Sequence, residues 1–409
     1  MSAERLAVPI SSHLFDEVVN KLWDVVIVGA GPAGSIAALH LARNGRQVLL
    51  LDKEDFPRDK ICGDGLIADS LAALKRADLF DQIQAHGYQT SLGKVYSPSR
   101  YSFEVIGQFI TLKRFILDEL IMRKAVASGA RFIKCKVRDI AVLADQSLAL
   151  AVEGYQTAIS AKIVLIATGA NVELPAKLGL VRCANPSAVA LRSYVRSKFT
   201  LDHLVISYDR SIAPGYAWIF PLGNGEFNIG CGITYDQTNG KRPNLRAVFK
   251  QFIENFPLAH QIMEQVEAQT PLRGAMLRCG LTGTSAKGKG NILVIGESIG
   301  STFPFTGEGI GKAMETGEIA AQIVNEAFNQ SDFAALDKFP ARVEQELKPK
   351  FFGYQIAQDW FSKPWLNDFV TRRINKSRFL QEGLAGMVNE TVDPGKIFSI
   401  GGILRSFFG

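Results

Sequence analysis

A glycine-rich turn near the start of the chain constrains the fold more than any other feature of the sequence. Gly29, Gly31 and Gly34 form a G-x-G-x-x-G pattern that follows an apolar run over residues 24–28 and precedes a helical pattern over residues 35–43. Glycines at this spacing let the backbone approach a pyrophosphate at the N-terminus of the helix. The pattern therefore predicts a Rossmann-like β-α-β unit that binds a dinucleotide.

An acidic residue strengthens this prediction. Asp52 ends a second apolar run over residues 47–51, 23 positions after Gly29. A carboxylate at this point can accept hydrogen bonds from the hydroxyl groups of an adenosine ribose. Both FAD and NAD contain that ribose, so the first 52 residues leave the choice between them open.

A later segment favours FAD. Residues 291–295 have the pattern of a strand that delivers Gly296 and Glu297, and residues 306–310 then open a helix whose N-terminal amides can face an anionic flavin or its pyrophosphate. A nicotinamide protein does not need this second cradle. Arg114, at the start of a predicted helix over residues 114–128, is placed to meet the phosphates of the cofactor, although a surface charge explains a lone arginine equally well.

The length of the chain predicts more than one lobe. With 409 residues, of which 47% are hydrophobic, it exceeds the size at which a single core usually keeps growing. We predict an α/β fold with a Rossmann-like FAD-binding domain, an inserted domain rich in β-sheet that binds the substrate, and a helical C-terminal region. The predicted boundaries are 24–95, 111–172 and 290–330 for the FAD-binding domain, 96–110 and 173–289 for the substrate domain, and 331–409 for the helical region.

Composition excludes several classes of protein. The five cysteines are scattered and form no C-x-x-C pair, which argues against a disulfide framework and a zinc site and favours a reducing, cytoplasmic setting. No uncharged apolar run approaches the roughly 18 residues of a membrane-spanning helix. The net charge of +6 is dispersed, so we expect no nucleic-acid partner, and the five histidines have no spacing typical of a metal site or a hydrolytic triad.

Taken together, the motifs resemble the geranylgeranyl reductase family, a group of FAD-dependent oxidoreductases built like para-hydroxybenzoate hydroxylase. The resemblance covers about residues 24–330 and includes the glycine fingerprint, Arg114 with Asp118, and the Gly296 and Gly309 segments. Its discriminating pair is the Lys-x-Cys-Gly loop at residues 60–63 and the Tyr-x-Trp-x-Phe-Pro strand at residues 216–221. The loop and the strand look most similar to the menaquinone-tail type within the family.

The resemblance implies an activity and a set of site residues. Members of the family reduce carbon–carbon double bonds in isoprenoid chains, so a prenyl lipid or a prenyl diphosphate is the implied substrate. The pyrophosphate and ribose would be held by Gly29, Gly31, Ala33, Gly34 and Asp52, and the phosphate and adenine side by Arg114 and Val137. The flavin end would be bordered by Cys62, Gly63, Gly65, Glu297, Gly309 and Ile310.

Two positions depart from the family pattern. Glu297 stands where the family usually has Asp, which adds a methylene group beside the ribityl chain. Residues 168–171, Thr-Gly-Ala-Asn, replace the usual Gly-Ala-Asp-Gly. The sequence has no second glycine fingerprint, so we expect NAD(P)H or reduced ferredoxin to act as a transient electron donor.

Reduction of an unactivated double bond needs a hydride, a proton and an apolar channel that holds the chain. Tyr216, Trp218 and Phe220 alternate along one predicted strand and therefore share a face, although ordinary core aromatics would show the same pattern. Cys62, in the flavin-side loop, is either a partner in the proton or hydride step or a small apolar residue. The predicted catalytic residues are Cys62, Tyr216 and Trp218.

Two other functions remain open at this point. A flavin-dependent monooxygenase shares the fingerprint; a halogenase is disfavoured because the Cys62-Gly63 loop stands where halogenases typically have Gly-Glu-Ser, and the strand at residues 216–221 lacks their second tryptophan. A quinone-linked electron-transfer flavoprotein is the other alternative. The sequence does not predict the oligomeric state.

The end of the chain predicts peripheral contact with a membrane, where a prenyl lipid resides. Apolar residues there lie beside two basic ones, a pattern typical of a segment that lies in a lipid interface. The apolar set is Ile397, Phe398, Ile400, Ile403, Leu404, Phe407 and Phe408, and the basic residues are Lys396 and Arg405.

Overall fold

The computed structural model describes residues 15–212, 215–234 and 244–407, with only the backbone described at residues 15, 16, 400 and 403. The strands are β1 Leu22–Val28, β2 Val48–Asp52, β3 Gly65–Leu66, β4 Tyr88–Tyr96, β5 Ser102–Thr111, β6 Arg131–Lys134, β7 Val137–Val142, β8 Leu148–Val152, β9 Ile159–Ile166, β10 Ala188–Ser197, β11 Leu204–Ser207, β12 Tyr216–Gly223, β13 Glu226–Thr234, β14 Val266–Gln269, β15 Arg273–Leu277 and β16 Ile292–Val294. The helices are α1 Phe15–Val19, α2 Pro32–Arg43, α3 Ala68–Arg76, α4 Phe80–His86, α5 Arg114–Ala127, α6 Glu173–Lys177, α7 Leu245–Asn255, α8 Pro257–Glu264, α9 Ile310–Gln330, α10 Phe339–Phe361, α11 Pro364–Ile374, α12 Arg378–Val388, α13 Pro394–Ile397 and α14 Ile400–Arg405.

The first sheet carries the dinucleotide fold. Its strand order is β6-β2-β1-β9-β8-β7, with β16 also pairing with β9. Strands β6, β2, β1, β9 and β16 run parallel, and the crossover helices α2 and α5 return the chain to the same end between β1 and β2 and between β2 and β6. The carboxyl ends of β1, β2 and β16 therefore meet at one edge, where Gly29, Asp52 and Gly296 follow them.

The local sequence explains the first β-α-β unit. Residues 25–28 of β1 and 48–51 of β2 are buried apolar residues, as expected for central parallel strands with helices on both faces. Helix α2 begins at Pro32, whose fixed φ suits the first helical position. Asp52 accepts a hydrogen bond from the backbone amide of Ala30 at 2.8 Å, so the acid at the end of β2 is fastened to the glycine turn.

The second sheet forms the inserted part of the chain. Its order is β14-β10-β13-β12-β11-β4-β5-β3, with β15 also pairing with β10. The sheet is antiparallel except where β11 pairs with β4. Helices α7 and α8 pack on it around a separate apolar core that contains Phe227, Phe249 and Phe252. The predicted fold class, a Rossmann-like domain with an inserted sheet and a helical C-terminal region, is confirmed.

One boundary in the structure differs from the position expected from the sequence. Residues 88–95 were assigned to the FAD-binding domain, but β4 pairs with β5 and β11 in the second sheet. The physical reason is that β4 and β5 form an antiparallel hairpin, which a boundary inside residues 88–110 would split. We therefore propose that the inserted part begins at Tyr88.

The C-terminal helices share a core with the nucleotide-binding sheet. Phe339, Val343 and Leu347 of α10 are buried in the same apolar cluster as the strands of the first sheet. Asp368 of α11 accepts hydrogen bonds from the hydroxyl groups of Ser97 and Ser99, in the β4–β5 turn, at 2.6 and 2.7 Å. The C-terminal helices therefore contact both sheets.

Part of the expected C-terminal surface is buried. Ile397 and Phe398 are each only 3% exposed, so the expectation that they carry exposed apolar surface is wrong: Phe398 packs against the rings of Trp360 and Phe361. Leu404 and Phe407 are exposed. Phe408 and the side chains of Ile400 and Ile403 lie outside the described part of the chain.

Within the described residues no helix is both long and apolar enough to cross a membrane, and no cluster of His, Cys, Asp or Glu is arranged to hold a metal ion. All five cysteines are free thiols.

Candidate functional site

One cavity of about 920 Å³ connects the two sheets and the C-terminal helices. The residues expected to bind the cofactor line this cavity, with the exception of Gly34. Gly34 lies behind the turn, where a Cβ atom would be 1.9 Å from the carbonyl oxygen of Gly29. Its role is therefore to let the turn close on itself.

The glycine turn leaves room for a phosphate group. Gly31 is the residue before α2, and a Cβ atom placed on it would approach no described atom closer than Nη2 of Arg58, at 3.7 Å. The backbone of Gly31 thus opens onto the cavity, and the first amides of α2 have no partner within the helix. A pyrophosphate fits this place, with the guanidinium of Arg58 above it.

Arg114 was expected to meet the phosphates of the cofactor, but in the structure its side chain pairs with an acid of its own helix. Its guanidinium is buried and donates two hydrogen bonds to Asp118, at 2.6 and 2.7 Å, which occupy one edge of the group. Arg58 contacts the same carboxylate at 3.0 Å. Arg114 therefore anchors the loop that contains Cys62, while Arg58 is the arginine that faces the glycine turn. The sequence pattern did not single out Arg58, since a charged loop residue usually points to solvent.

The loop from Cys62 to Gly65 lines the cavity and leads into β3 of the second sheet. Burial raises the pKa of the Cys62 thiol, and the positive charge of Arg114 opposes only part of this effect, so the thiol stays protonated at neutral pH. Cβ atoms on Gly63 and Gly65 would come within 3.4 and 3.2 Å of the Phe220 ring. The loop backbone thus lies directly against the aromatic face of β12.

Asp64 is the buried charge of this loop. It accepts hydrogen bonds from the hydroxyl group of Tyr194 at 2.7 Å, from Nδ2 of Asn228 at 2.8 Å and from the backbone amide of Arg114 at 3.2 Å. Burial nevertheless raises its pKa to about 6, because these hydrogen bonds only partly offset the loss of hydration. Its backbone has a positive φ of 65°.

The aromatic side chains of β12 share one face, as the alternation predicts. The rings of Tyr216 and Trp218 have centroids 5.9 Å apart, and those of Trp218 and Phe220 are 6.4 Å apart. All three line the cavity. Tyr216 donates a hydrogen bond to the carbonyl oxygen of Thr306, just before α9, and thereby ties the second sheet to the flavin-end helix.

Asn228, on the neighbouring strand β13, orients this aromatic row. Its Oδ1 accepts from Nε1 of Trp218 at 2.9 Å, and its Nδ2 donates to the carbonyl oxygen of Cys62 and to Asp64, both at 2.8 Å. The side chain is fully buried. The sequence carried no motif for this residue, because the signal is the pairing of β12 with β13 and not a spacing along the chain.

The remaining predicted cofactor residues lie where the parallel strands end. Glu297 is 4.0 Å from Nζ of Lys60 and accepts a weak hydrogen bond from the amide of Arg278 at 3.4 Å, so the longer acid reaches across to the flavin-side loop. Gly309 and Ile310 form the start of α9. Val137 begins β7, at the part of the cavity that Asp52 also lines.

The same cavity has an apolar part between the second sheet and the C-terminal helices. Its lining includes Phe103, Val105 and Phe109 of β5 and Leu384, Met387 and Val388 of α12. The two elements touch at Gly107, where a Cβ atom would be 3.0 Å from a methyl group of Val388. The C-terminal region was expected only to be helical, so its part in the cavity wall is a finding of the structure.

Two family models match the chain in these regions. Residues 23–143 match the FAD binding domain, and residues 188–270 match the geranylgeranyl reductase catalytic domain. The first match covers the glycine turn and the Cys62 loop. The second covers strands β10–β13, including the aromatic row.

Two named reductases are similar to this chain in sequence over about three quarters of its length. The menaquinone reductase of Mycobacterium tuberculosis is 34% identical over 331 residues, which cover 75% of this chain and 78% of that protein. The digeranylgeranylglycerophospholipid reductase of Methanosarcina acetivorans is 28% identical over 77% of this chain and 78% of its own length.

Solved structures share the fold at lower identity. A geranylgeranyl bacteriochlorophyll reductase-like protein from Thermoplasma acidophilum superposes with a TM-score of 0.75 and 21% identity, over 95% of this chain and 96% of that one. The flavin-dependent brominase Bmp2 gives a TM-score of 0.72 at 20% identity, over 95% of this chain and 98% of that one. At these identities the likeness concerns the fold alone.

Proposed function

Because the chain belongs to the geranylgeranyl reductase family of FAD-dependent oxidoreductases, we propose that it saturates carbon–carbon double bonds of an isoprenoid chain. The observation that carries this proposal is the cavity itself. It begins at the glycine turn that fits a pyrophosphate and also includes an apolar part walled by β5 and α12. An elongated hydrocarbon needs such a part beside the redox centre, whereas a small aromatic substrate does not.

The residues at the strand ends fit FAD. Gly31 and the start of α2, with Arg58, would hold the pyrophosphate, Asp52 the ribose, and the Cys62–Gly65 loop with the start of α9 the flavin end. Reduced FAD, when bound, supplies the hydride for the double bond. We propose the same holding roles for Gly29, Ala33, Val137, Glu297, Gly309 and Ile310, and a supporting role for Arg114 under the loop.

The protein's own contribution is to position the chain and to keep water out. Trp218 and Phe220 present an apolar wall opposite the Cys62 loop, and misplacement of a reacting atom by about 1 Å can cost on the order of 100-fold in rate. The Cys62 thiol, which burial keeps protonated, borders the reacting bond and can donate a hydrogen bond or a proton there. Tyr216 holds the strand against the flavin-end helix.

Within the family we propose the prenyl tail of a menaquinone as substrate. The relatives at 32–34% identity carry the name menaquinone reductase, whereas the ether-lipid reductases match at 28–30%. We further propose that NAD(P)H or reduced ferredoxin reduces the flavin by transient docking.

A menaquinone resides in the membrane, so we also propose peripheral membrane contact through the end of the chain. Leu404 and Phe407 are exposed there, and the guanidinium of Arg373 lies 4.2 Å from the centre of the Phe407 ring. An exposed apolar side chain beside a cation suits an interface with anionic lipid. Replacing both Leu404 and Phe407 by Ser is expected to reduce sedimentation with anionic vesicles, and unchanged binding would contradict this contact.

The central experiment uses purified FAD-loaded protein, dithionite as reductant and menaquinone in detergent. Lipid mass spectrometry should find a product heavier by two hydrogen atoms for each reduced bond. The variant Trp218→Ala, measured per bound flavin, serves as the matched control for the role of the cavity wall.

Three outcomes would contradict the proposal, and each points elsewhere. Rapid reduction of the quinone ring with no saturated tail would indicate electron transfer. Oxygen-dependent hydroxylation of an aromatic compound would indicate a monooxygenase. A protein that cannot be reconstituted with FAD would contradict the family's chemistry for this chain.

A further inference from the structure

Two acidic side chains meet at the start of the flavin-end helix, outside the groups used so far. Asp69 lies in the first turn of α3 and is 7% exposed, and Glu308 lies two residues before α9 and lines the cavity. The hydroxyl group of Ser70 is 3.2 Å from Oδ1 of Asp69 and 3.3 Å from Oε1 of Glu308. The hydroxyl group of Ser70 therefore lies between the two carboxyl groups.

Each carboxyl group has one oxygen that accepts hydrogen bonds, and the second oxygens differ in their surroundings. Oδ1 of Asp69 also accepts from the amide of Ser70 at 2.6 Å, and Oε1 of Glu308 accepts from the amide of Gly311 at 2.7 Å. Oδ2 of Asp69 lies 3.4 Å from Nζ of Lys312, whereas Oε2 of Glu308 is buried and accepts no hydrogen bond from the residues that the structure describes. A buried acceptor without a donor is costly, and a proton on Oε2 of Glu308 would remove this cost.

The backbone of α9 enforces this approach. A Cβ atom on Gly311 would lie 2.3 Å from both Cγ and Oδ2 of Asp69, so a glycine is required where the carboxyl group packs on the helix. The contact is therefore part of the fold of this segment and does not depend on a flexible side chain at the surface.

The surrounding charges do not neutralise both acids. Lys312 is fully buried and lies 3.4 Å from Asp69, 2.6 Å from Glu315 and 2.7 Å from Glu390. Lys350 pairs with Glu390, and Arg76 pairs with Glu318. Tyr354 of α10 and Tyr216 of β12 complete the set of titratable groups near Glu308. The four acids Asp69, Glu308, Glu315 and Glu390 thus share two lysines.

We propose that Asp69 and Glu308 hold one shared proton at neutral pH and form the proton store for reduction of the isoprenoid double bond. Two neighbouring carboxylates in a buried place repel each other, so the pair retains at neutral pH a proton that a single exposed acid would lose. Burial and the neighbouring Asp69 both raise the pKa of Glu308 well above its usual value, in agreement with this geometry.

This inference rests on the proposed function, because the reaction sets the need for a proton. Saturation of one double bond adds a hydride to one carbon and a proton to the other. The pair gives up its proton, directly or through Cys62, and becomes two carboxylates, which then take up a proton from solvent. The hydride comes from the reduced cofactor of the established family chemistry. Cys62 and Glu308 both line the same cavity.

The first test measures protonation without any substrate. The oxidised, FAD-loaded protein is labelled with ¹³C at glutamate Cδ, and its carboxyl resonances are followed by NMR between pH 5 and 9. We expect one resonance with the shift of a protonated carboxyl group at pH 7, which is missing in Glu308→Gln and appears at lower pH in Asp69→Asn. Glu315→Gln, which removes an acid from Lys312 but leaves the pair, should keep that resonance.

The second test measures turnover per bound flavin as a function of pH. Loss of a proton donor costs about 100-fold or more, so Glu308→Gln should reduce formation of saturated product by that factor and flatten the pH profile, while dithionite reduces its FAD at the wild-type rate. Glu346→Gln, on the exposed face of α10, should behave as wild type.

The results separate the inference from the proposed function. Glutamate resonances that are all ionised at pH 7, or an acid resonance that persists in Glu308→Gln, would overturn the shared proton. Normal turnover and an unchanged pH profile in Glu308→Gln would overturn the proton store. A wild-type protein that saturates no isoprenoid would contradict the proposed function, and the NMR result would still decide whether the shared proton exists.

Discussion

The indole nitrogen of Trp218 donates a hydrogen bond to Oδ1 of Asn228 at 2.9 Å, on the strand that pairs directly with its own. The same asparagine donates to the carbonyl oxygen of Cys62 and to Asp64. One buried amide thus fixes the distance between the aromatic row and the flavin-side loop. The width of the reactive part of the cavity depends on this residue.

Replacing Asn228 by Leu should therefore disturb both the aromatic row of β12 and the flavin-side loop. The change leaves Nε1 of Trp218 and the carbonyl oxygen of Cys62 without partners, and each unsatisfied buried group costs about 1–3 kcal/mol. We expect a lower free energy of unfolding and lower turnover per bound flavin, with FAD still bound. Urea denaturation and product analysis on the same preparation measure the two effects.

The isosteric change Asn228→Asp provides the control. It keeps an acceptor for Trp218 but loses the donors to the loop and adds a charge beside Asp64, so the loop side alone is weakened. Equal turnover in wild type and both variants would mean that the amide does not set the cavity width.

Trp218 itself tests whether the aromatic row acts on the substrate. The side chain is 5% exposed and also faces the cavity, so Trp218→Ala should lower stability by about 3–5 kcal/mol and reduce turnover per bound flavin by about 100-fold. Trp218→Phe keeps an aromatic wall, but it removes the hydrogen bond to Asn228 and shortens the ring system. Normal turnover per flavin in Trp218→Ala, at whatever melting temperature, would restrict the residue to a core role.

Substitutions at Gly31 test cofactor binding separately from folding. A Cβ atom here would meet only the Arg58 guanidinium, at 3.7 Å, so Gly31→Val should fold, yet its branched side chain would occupy the space of a pyrophosphate. The purified variant should be colourless, with the circular dichroism spectrum of wild-type apoprotein. Gly31→Ala, with one methyl group, should bind FAD more weakly than wild type. Yellow Gly31→Val protein would contradict the placement of the phosphates.

The sequence predicted the parts of the site that depend on local pattern. The glycine turn, Asp52 and the alternation of Tyr216, Trp218 and Phe220 are short-range features, because a turn or a strand places neighbouring residues at fixed offsets. The fold class followed from these units and the apolar runs between them. The structure brings the predicted residues to one cavity, with Gly34 behind the turn.

The residues that were missed act across the fold. Arg58, Asn228 and the Asp69–Glu308 pair gain their roles from contacts between segments more than 100 residues apart or from a loop that folds back on the turn. No periodicity encodes such contacts. The position of Arg58 has the same cause: Arg114 pairs with Asp118 one turn along α5, but only the fold brings Arg58 to the same carboxylate and to Gly31.

Asp64 should make stability depend on pH. Its pKa is about 6 in the folded protein, above the value of about 3.9 in an unfolded chain, so the folded state binds more protons between these values. Its contribution to stability is therefore full below about pH 4 and is lost as the pH rises through 6. Relative to Asp64→Asn, wild-type apoprotein should lose on the order of 2–3 kcal/mol between pH 4 and 7. A pH-independent difference in urea denaturation would contradict this.

Lys312 should hold the C-terminal region against the flavin-end helix. Its buried ammonium group contacts Asp69 of α3 and Glu390, which lies between α12 and α13. Lys312→Met leaves Asp69 without its cation and Glu390 with Lys350 alone, and breaking a buried pair on one side costs about 3–5 kcal/mol. We expect faster hydrogen exchange in α12 and α13 and a lower melting temperature.

Lys348→Met, which removes an exposed partner of Glu344, is the matched control and should change neither the hydrogen exchange nor the melting temperature. Adding Glu390→Gln to Lys312→Met should restore part of the loss, because one of the carboxylates that lost Lys312 is then neutral. Strictly additive losses in this double-mutant cycle would mean that the two residues do not interact.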